Sequence, residues 1–199
     1  LENCKVIVRP GVGYDGIDTV AARDRGIPVC NVPDYGTEEV ADSALAMILT
    51  LARGTHLLNS RQRRCIGEKW NQEQATPIPR LRGRVFAIIG CGRIGTAAAL
   101  RAKAFGFDVV FYDPYVPDGL DKALGVRRID SLAQLLSLAH IVSLHCPLTE
   151  ETRGIIGRAE LGQMPQGSFL VNTARGGVVE TEAVVAVSYT HLRAHETAR

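Results

Sequence analysis

Short apolar runs alternate with segments of helical periodicity along most of this chain. The apolar runs predict strands at residues 5–8, 28–31, 85–89, 108–112, 141–145 and 169–172. Apolar positions three and four residues apart predict helices at 18–25, from 37 onward, at 93–105 and at 131–139. This alternation is typical of βαβ units, and nearly continuous apolar strands are typical of a parallel sheet covered on both faces. We therefore expect an α/β fold.

Two of the predicted helices begin near residues that can cap a helix. Thr37 precedes two glutamates that would lie in the first helical turn, so we expect Thr37 to be the N-cap of a long helix. Ser131 is the expected N-cap of the last predicted helix. Pro77, Pro79 and polar residues interrupt the periodicity between 67 and 82, which predicts a linker there.

Composition and charge narrow the class of protein. The chain has 199 residues, of which 46% are hydrophobic and 22% charged, and this favours a globular protein over a disordered one. The net charge is +2 and the basic residues form no stripe, so we expect no nucleic-acid partner. No apolar run approaches the roughly 20 residues needed to span a bilayer, so we expect no membrane partner.

The cysteines form no metal or redox motif. There are five of them, an odd number, and no two have C-x-x-C spacing: Cys4, Cys30, Cys65, Cys91 and Cys146. We expect free thiols that pack as small hydrophobic groups, and no metal site. Because disulfides are rare in the cytoplasm, this usage favours a cytoplasmic location.

Residues 187–199 differ in character from the rest of the chain. They carry no apolar stripe and are similar to a translated transposase adapter, of the kind left at fragment ends in shotgun DNA sequencing. We therefore expect a non-native tail that takes no part in the fold, and a chain that is a fragment. His191 and His195 lie in this tail and are not candidates for chemistry.

A glycine-rich turn is the first candidate for a functional site. Gly90, Gly92 and Gly95 form the pattern G-x-G-x-x-G directly after a predicted strand and at the start of a predicted helix. Gly90 would allow a tight turn, Gly92 the close approach of a pyrophosphate, and Gly95 the packing of the helix on the strand. The N-terminus of the helix would then face the phosphates of a dinucleotide.

An acidic residue follows the next predicted strand. Asp113 lies about 20 residues beyond the glycine turn, where dinucleotide-binding proteins place the carboxylate that binds the adenosine ribose. A carboxylate there would repel a 2′-phosphate, and no arginine follows directly, so NAD is favoured over NADP. The alternative is that Asp113 only caps the end of the strand.

Four segments of the chain resemble the D-isomer-specific 2-hydroxyacid dehydrogenases, in the order found in that family. They are residues 8–18, 90–95, 145–149 and 171–177, and the resemblance extends to about residue 185. Within the family, residues 99–107 and 111–115 look most like the branch that contains the C-terminal-binding-protein corepressors, to which bacterial dehydrogenases also belong.

This resemblance implies a two-domain architecture. The cofactor domain would be a Rossmann-type doubly wound parallel sheet, accompanied by a fragment of a second, flavodoxin-like α/β substrate domain. Residues 1–33 would belong to the substrate domain, residues 34–186 to the NAD-binding domain with its linker at 67–82, and residues 187–199 to the tail. The resemblance also implies a homodimer for the full-length parent, with the region of the long helix contributing to its interface.

The resemblance also implies roles for single residues. Arg175 would be the catalytic arginine that binds the carboxylate and polarises the carbonyl of a small 2-keto acid, a task suited to a planar guanidinium. The substrate carboxylate would be held by Arg9, Gly11, Val12 and Gly13, whose backbone would form an anion nest. The cofactor would be bound by Gly90, Gly92, Arg93, Ile94, Gly95, Asp113, Cys146, Pro147, Thr149, Thr152, Thr173 and Ala174.

The remaining catalytic residues of the family are a Glu and a His that follow the arginine. Both would lie beyond the point where this chain enters the tail, so we expect the fragment not to turn over normally. His145 would lie in the cofactor-side turn and not be the proton donor, and His56 and His140 are expected to be ordinary surface or strand-edge residues.

Two functions remain open for the parent protein. The first is an NAD-dependent oxidoreductase that transfers a hydride between nicotinamide and C2 of a small D-2-hydroxy acid. The second is an NADH-sensing, corepressor-like dimer that binds partner proteins. Other chemistries on such a sheet are disfavoured, because no tyrosine is followed by a lysine at the spacing of short-chain dehydrogenases, and a methyltransferase would not need Arg175 in this context.

Overall fold

The computed structural model describes residues 3–64, 78–188 and 193–196. Its first part is a small parallel sheet formed by β1 (Ile7–Arg9) and β2 (Val29–Asn31), which are connected through the short helix α1 (Thr19–Arg23). This βαβ unit is separate from the main sheet. Its assignment to a second α/β domain stays a prediction.

The main sheet is parallel and has six strands. Their spatial order is β5 (Arg127–Arg128), β4 (Asp108–Tyr112), β3 (Val85–Ile89), β6 (Ile141–Leu144), β7 (Phe169–Asn172) and β8 (Arg193–Glu196). The chain therefore moves outward from β3 in one direction and then from β6 in the other. This reversal is the strand order of a doubly wound Rossmann-type sheet, and it confirms the predicted fold class.

Helices cover both faces of the main sheet. The longer ones are α2 (Thr37–Arg53), α4 (Arg93–Ala104) and α8 (Thr181–Ser188). The helix α3 (Thr55–Arg64) follows α2 and has no buried residue. The shorter ones are α5 (Leu120–Leu124), α6 (Leu132–Leu138), α7 (Arg158–Gln163) and a 3₁₀ turn at Gly176–Val178.

Successive residues of β3, a central strand of the main sheet, face two separate hydrophobic cores. Phe86 and Ile88 pack with the buried faces of α2 and α4, whereas Ala87 and Ile89 pack with α6, α7 and α8. This alternation follows from the two-residue period of a strand. Because both faces are covered, the strand is apolar throughout, which explains why its bounds could be predicted from the sequence.

The cap prediction for the long helix is wrong at Thr37. Gly36 is the N-cap, and Thr37 is the first residue of α2; its hydroxyl donates a 2.7 Å hydrogen bond back to Asp34. Thr37 lies one residue inside the helix, so its hydroxyl is not in the N-cap position, from which it would accept from the N–H groups of the first turn. The prediction for Ser131 is confirmed, since its side chain accepts a hydrogen bond from the backbone N–H of Gln134.

Regular structure continues into the segment that we expected to lie outside the fold. Val187 is part of α8, and Arg193–Glu196 pairs with β7 as a further parallel strand. The physical reason is that the outer edge of β7 offers unpaired backbone groups, which pair with an extended segment of almost any sequence. The origin of residues 187–199 stays a prediction. Cys65 and most of the predicted linker lie outside the described residues.

Within the ranges that the structure describes, no helix is long and apolar enough to cross a membrane. The same residues contain no group of His, Cys, Asp and Glu side chains that could hold a metal ion.

Candidate functional site at the carboxyl edge of the main sheet

The four central strands end in one row. Their last residues are paired in register across the sheet: Tyr112, Ile89, Leu144 and Asn172. The next residue of each strand therefore leaves the sheet at the same edge, in the order Asp113, Gly90, His145 and Thr173. In open parallel sheets, the crevice at this edge where the strand order reverses is the usual ligand site. Three separate sequence motifs are thus brought together by strand register.

The three glycines of the turn meet different surroundings. Gly90 has φ +89°, and a Cβ there would lie 2.6 Å from the backbone N of Cys146. A Cβ at Gly95 would lie 2.1 Å from the carbonyl oxygen of Gly90. At Gly92, by contrast, a Cβ would meet nothing within 4 Å. Gly90 and Gly95 are therefore required by packing, whereas Gly92 leaves space beside the start of α4.

That open space adjoins the N-terminus of α4, where Gly92 is the N-cap. The N–H groups of the first helical turn, at Arg93, Ile94 and Gly95, have no partners within the helix and carry a partial positive charge. Open space beside Gly92, next to these donors, fits the pyrophosphate of a dinucleotide.

Asp113 is fixed beside the glycine turn by two backbone donors. Its Oδ2 accepts a 2.8 Å hydrogen bond from the N–H of Cys91, and its Oδ1 accepts a 2.9 Å hydrogen bond from the N–H of Tyr115. Arg128 donates to the backbone carbonyl of Asp113 at 2.9 Å. The carboxylate is therefore oriented within the site, and each oxygen keeps a lone pair for a further donor.

The turn after β6 is held by its own threonines. Thr152 donates through its hydroxyl to the carbonyl of Pro147 at 2.5 Å and accepts from the backbone N–H of Thr149 at 2.8 Å. Cys146, at the start of this turn, is buried. Burial raises the pKa of the Cys146 and Cys91 thiols to about 11, so both stay protonated at neutral pH.

His145 lies between two hydroxyl groups at the end of β6. Its Nε2 is 2.9 Å from Ser143 Oγ, and its Nδ1 is 3.3 Å from Thr173 Oγ1. Burial lowers the pKa of His145 to about 4, so the imidazole is neutral at physiological pH. That His145 is not the proton donor stays a prediction.

Asn172 organises the turn after β7. Its Nδ2 donates to the carbonyl of Arg175 at 2.8 Å, and its Oδ1 accepts from the N–H of Ala174 at 3.0 Å. Asn172 lies within the motif at 171–177, but no role was predicted for it. The sequence did contain one indication of such a role. Asn172 directly follows three apolar residues of β7, and a buried amide needs hydrogen-bond partners of its own.

Arg175 reaches from this turn to the loop after β1. Its Nε donates to Asp15 Oδ1 at 2.9 Å, and its Nη1 donates to the carbonyl of Ala174 at 2.9 Å. Its Nη2 lies against Gly13, where a Cβ would be only 1.4 Å away. Partial burial raises the pKa of Asp15, but the hydrogen bond and the charge of Arg175 outweigh that effect and lower it below the ordinary 3.8.

The loop at residues 11–13 is itself fixed from both sides. Arg9 Nε donates to the carbonyl of Gly13 at 3.2 Å, and Asn31 Nδ2 donates to the carbonyl of Val12 at 2.7 Å. Asp15 and Asn31 are the residues here that sequence reasoning missed. The structure thus brings the first and last motifs into direct contact, since Arg175 and Asp15 are hydrogen-bonded although they are 160 positions apart.

The sequence model for the NAD-binding domain of the D-isomer specific 2-hydroxyacid dehydrogenases matches residues 45–194. This chain belongs to that family. The matched region contains the whole main sheet except the last two residues of β8, and NAD is the cofactor of this domain. Membership of the family also confirms the resemblance found in the sequence.

Individual relatives agree with this assignment. The chain is 43% identical over 193 residues to C-terminal-binding protein 1 of Caenorhabditis elegans, covering 95% of this chain and 26% of that protein. It is 39% identical over 183 residues to D-3-phosphoglycerate dehydrogenase of Methanocaldococcus jannaschii, covering 92% of this chain and 34% of that protein. The chain therefore spans about a quarter of the length of the first relative and about a third of the second.

A solved structure gives the same result for the fold. D-lactate dehydrogenase of Aquifex aeolicus, complexed with NAD and lactic acid, is 32% identical and superimposes with a TM-score of 0.83. The match covers 97% of this chain and 58% of that one.

Proposed function

We propose that this chain is the NAD-binding part of an oxidoreductase that interconverts small D-2-hydroxy acids and 2-keto acids. The observation that carries the proposal is the position of Arg175. Its backbone belongs to the turn after β7 at the edge of the main sheet, and its guanidinium lies against Gly13 of the small sheet's loop. A substrate bound by this arginine would therefore lie next to the cofactor crevice.

The cofactor would lie across the row of strand ends. The open space at Gly92 and the N-terminus of α4 would take the pyrophosphate, and Asp113 would accept from the hydroxyls of the adenosine ribose. Thr173, Ala174 and the turn at 146–149 would line the nicotinamide end. When bound, NAD supplies the nicotinamide that exchanges a hydride with C2 of the substrate.

The substrate carboxylate would bind between Arg175 and the loop at 11–13. The guanidinium keeps donors on Nη1 and Nη2 after its bonds to Asp15 and Ala174, which suits a planar carboxylate. Among the residues that the structure describes, the N–H groups of Val12 and Gly13 donate to no protein acceptor. Such N–H groups, with Arg9 close by, would complete an anion site.

Fluorescence titrations test both halves of this proposal. NADH is titrated into the chain, and oxalate, which resembles a 2-keto acid, is then titrated into the NADH complex. We expect NADH to bind, and Arg175→Gln to weaken oxalate binding at least tenfold while NADH affinity changes less than threefold. Arg158→Gln, an exposed arginine at the start of α7, is the matched control and should change neither value. Absence of NADH binding, or oxalate binding that does not depend on Arg175, would refute the proposal.

A second candidate function rests on one comparison, the 43% identity to C-terminal-binding protein 1. Under this alternative the parent protein is an NADH-sensing dimer that binds peptide segments of partner proteins. A pull-down with a short corepressor-recruiting peptide separates the two functions, since micromolar binding would favour the second.

A further inference from the structure

His145 belongs to a chain of side-chain hydrogen bonds whose direction can be derived. Thr173 Oγ1 lies 3.5 Å from the carbonyl oxygen of Leu144, a long contact toward which its hydroxyl hydrogen can point. When the hydroxyl points to Leu144, the 3.3 Å contact between Thr173 Oγ1 and His145 Nδ1 has Nδ1–H as its donor.

The second ring nitrogen agrees with this direction. A neutral imidazole protonated at Nδ1 has a lone pair on Nε2, and Ser143 Oγ, 2.9 Å away, can donate to it. In the opposite tautomer, Nε2–H would donate to Ser143, and the Ser143 hydroxyl would have no acceptor among the contacts of the described residues. Ser143 is fully buried, so an unsatisfied hydroxyl there would be costly.

The backbone of His145 touches the other half of the same crevice. Its N–H donates to the carbonyl of Ile89 at 2.8 Å, which extends the pairing of β3 with β6 by one residue. A Cβ at Gly90 would lie 2.8 Å from the carbonyl carbon of His145. His145 therefore holds the glycine turn with its main chain and Thr173 with its side chain.

We propose that His145 is a positioning residue of the cofactor site: as the neutral Nδ1–H tautomer, it orients the Thr173 hydroxyl so that this group can only accept a hydrogen bond from a ligand. The hydroxyl hydrogen is directed to Leu144, one lone pair is taken by Nδ1–H, and one lone pair remains. An N–H donor such as the amide of a nicotinamide suits that lone pair. The inference rests on the proposed function only where it assigns Thr173 to the nicotinamide end.

The tautomer can be measured without any ligand. Nitrogen-15 NMR of the histidine side chains distinguishes a protonated Nδ1 from a protonated Nε2. We expect Nδ1–H for His145 in the wild-type chain and in Ser143→Ala, which keeps Thr173 as acceptor. Thr173→Val removes that acceptor, and the proton should move to Nε2, where Ser143 can accept it. An Nε2–H tautomer in the wild-type chain overturns the inference.

NADH affinity tests the positioning itself. His145→Phe keeps a ring of similar size but no nitrogen, and we expect NADH to bind about tenfold more weakly, the effect of one buried hydrogen bond. The matched control is His140→Phe, at the other end of β6, whose Nδ1 accepts from the N–H of Val85. This control should lower the melting temperature but leave NADH affinity within twofold.

Conservative variants at Thr173 keep the test decisive if His145→Phe does not fold. Thr173→Ser keeps the hydroxyl and should bind NADH within about threefold of wild type, whereas Thr173→Val should lose about tenfold. Equal affinity of the two Thr173 variants overturns the inference. If the wild-type chain itself binds no NADH, the proposed function fails, and the NMR measurement still decides the state of His145.

Discussion

The carboxylate of Asp113 and the backbone N–H of Cys91 are joined by a 2.8 Å hydrogen bond. This contact connects the end of β4 to the glycine turn at the end of β3, and it directs a negative charge toward the place where the adenosine ribose would lie. A phosphate on the ribose 2′ position would carry further negative charge into that same space. The contact is thus a structural reason to expect NAD in preference to NADP.

Neutralising Asp113 should relax this preference. Asp113→Asn keeps an oxygen that can accept from Cys91 but removes the charge, so the ratio of the Kd of NADPH to the Kd of NADH should fall at least tenfold. Fluorescence titration with both nucleotides measures the ratio. Asp118→Asn removes an exposed carboxylate that pairs with Arg128 nearby and should leave the ratio unchanged. An unchanged ratio in Asp113→Asn would show that the charge does not select the cofactor.

Substitutions at two glycines of the turn should have different effects, one on the stability of the fold and the other on the binding of NADH. Gly95→Ala places a methyl group 2.1 Å from the carbonyl oxygen of Gly90. We therefore expect the free energy of unfolding to fall by at least about 1–3 kcal/mol. Gly92→Ala places its methyl group in open space, so the stability should stay within about 1 kcal/mol, the ordinary difference between Gly and Ala. NADH affinity should nevertheless fall at least tenfold in Gly92→Ala. Urea denaturation and NADH titration measure the two effects, and equal stability of the two variants would contradict the packing argument.

Gly13 should matter for the substrate and not for the cofactor. A methyl group at Gly13 would lie 1.4 Å from Arg175 Nη2, so Gly13→Ala must displace the guanidinium. We expect oxalate to bind the NADH complex at least tenfold more weakly, with NADH affinity within threefold of wild type. Gly16→Ala is a suitable control in the same loop, because a Cβ there meets nothing within 4 Å. Similar oxalate affinities in the two variants would mean that Arg175 does not need its observed position.

The buried imidazole of His145 should make stability depend on pH. The pKa of His145 is about 4 in the folded protein and 6.5 in a solvated chain, so the unfolded state binds a proton first as the pH falls. The stabilisation is fully present above pH 6.5 and is lost between 6.5 and about 4, by about 3 kcal/mol in total. Urea denaturation across this range should show a steeper decline for the wild-type chain than for His145→Gln, which does not titrate. Parallel profiles would contradict a depressed pKa.

The sequence was sufficient for the fold because the central strands are apolar on both faces. The bounds of β3, β4 and β7 coincide with the predicted runs, and the long helix begins where expected even though Gly36 and not Thr37 caps it. By contrast, β5 was not predicted, because this edge strand has two residues, both arginines, and no apolar pattern. The helices α5 and α7 have five and six residues, too few to show a helical period.

The candidate site could be predicted only in its local parts. The glycines of the turn contact residues that are close in sequence or that lie on the adjacent strand, so a short sequence motif is enough to identify them. Asp15 and Asn31 act through contacts across the fold, the first with Arg175 and the second with Val12. Nothing local in the sequence marks such partners. Asp15 meets Arg175 only when the two sheets are placed side by side, and Asn31 meets the loop at 11–13 only when β2 pairs with β1.

The four central strands end in one row at the carboxyl edge of the sheet. Insertions and deletions should therefore be tolerated less at this edge than at the amino edge. Consider one residue inserted within β4, β3, β6 or β7, before the strand's last residue. The last residue of that strand would move about 3.3 Å along the strand, and its side chain would point to the opposite face of the sheet. Connections at the amino edge carry no such constraint. Homologous chains should therefore vary in length mainly between a helix and the strand that follows it, and keep constant length from a strand into the turn beyond it.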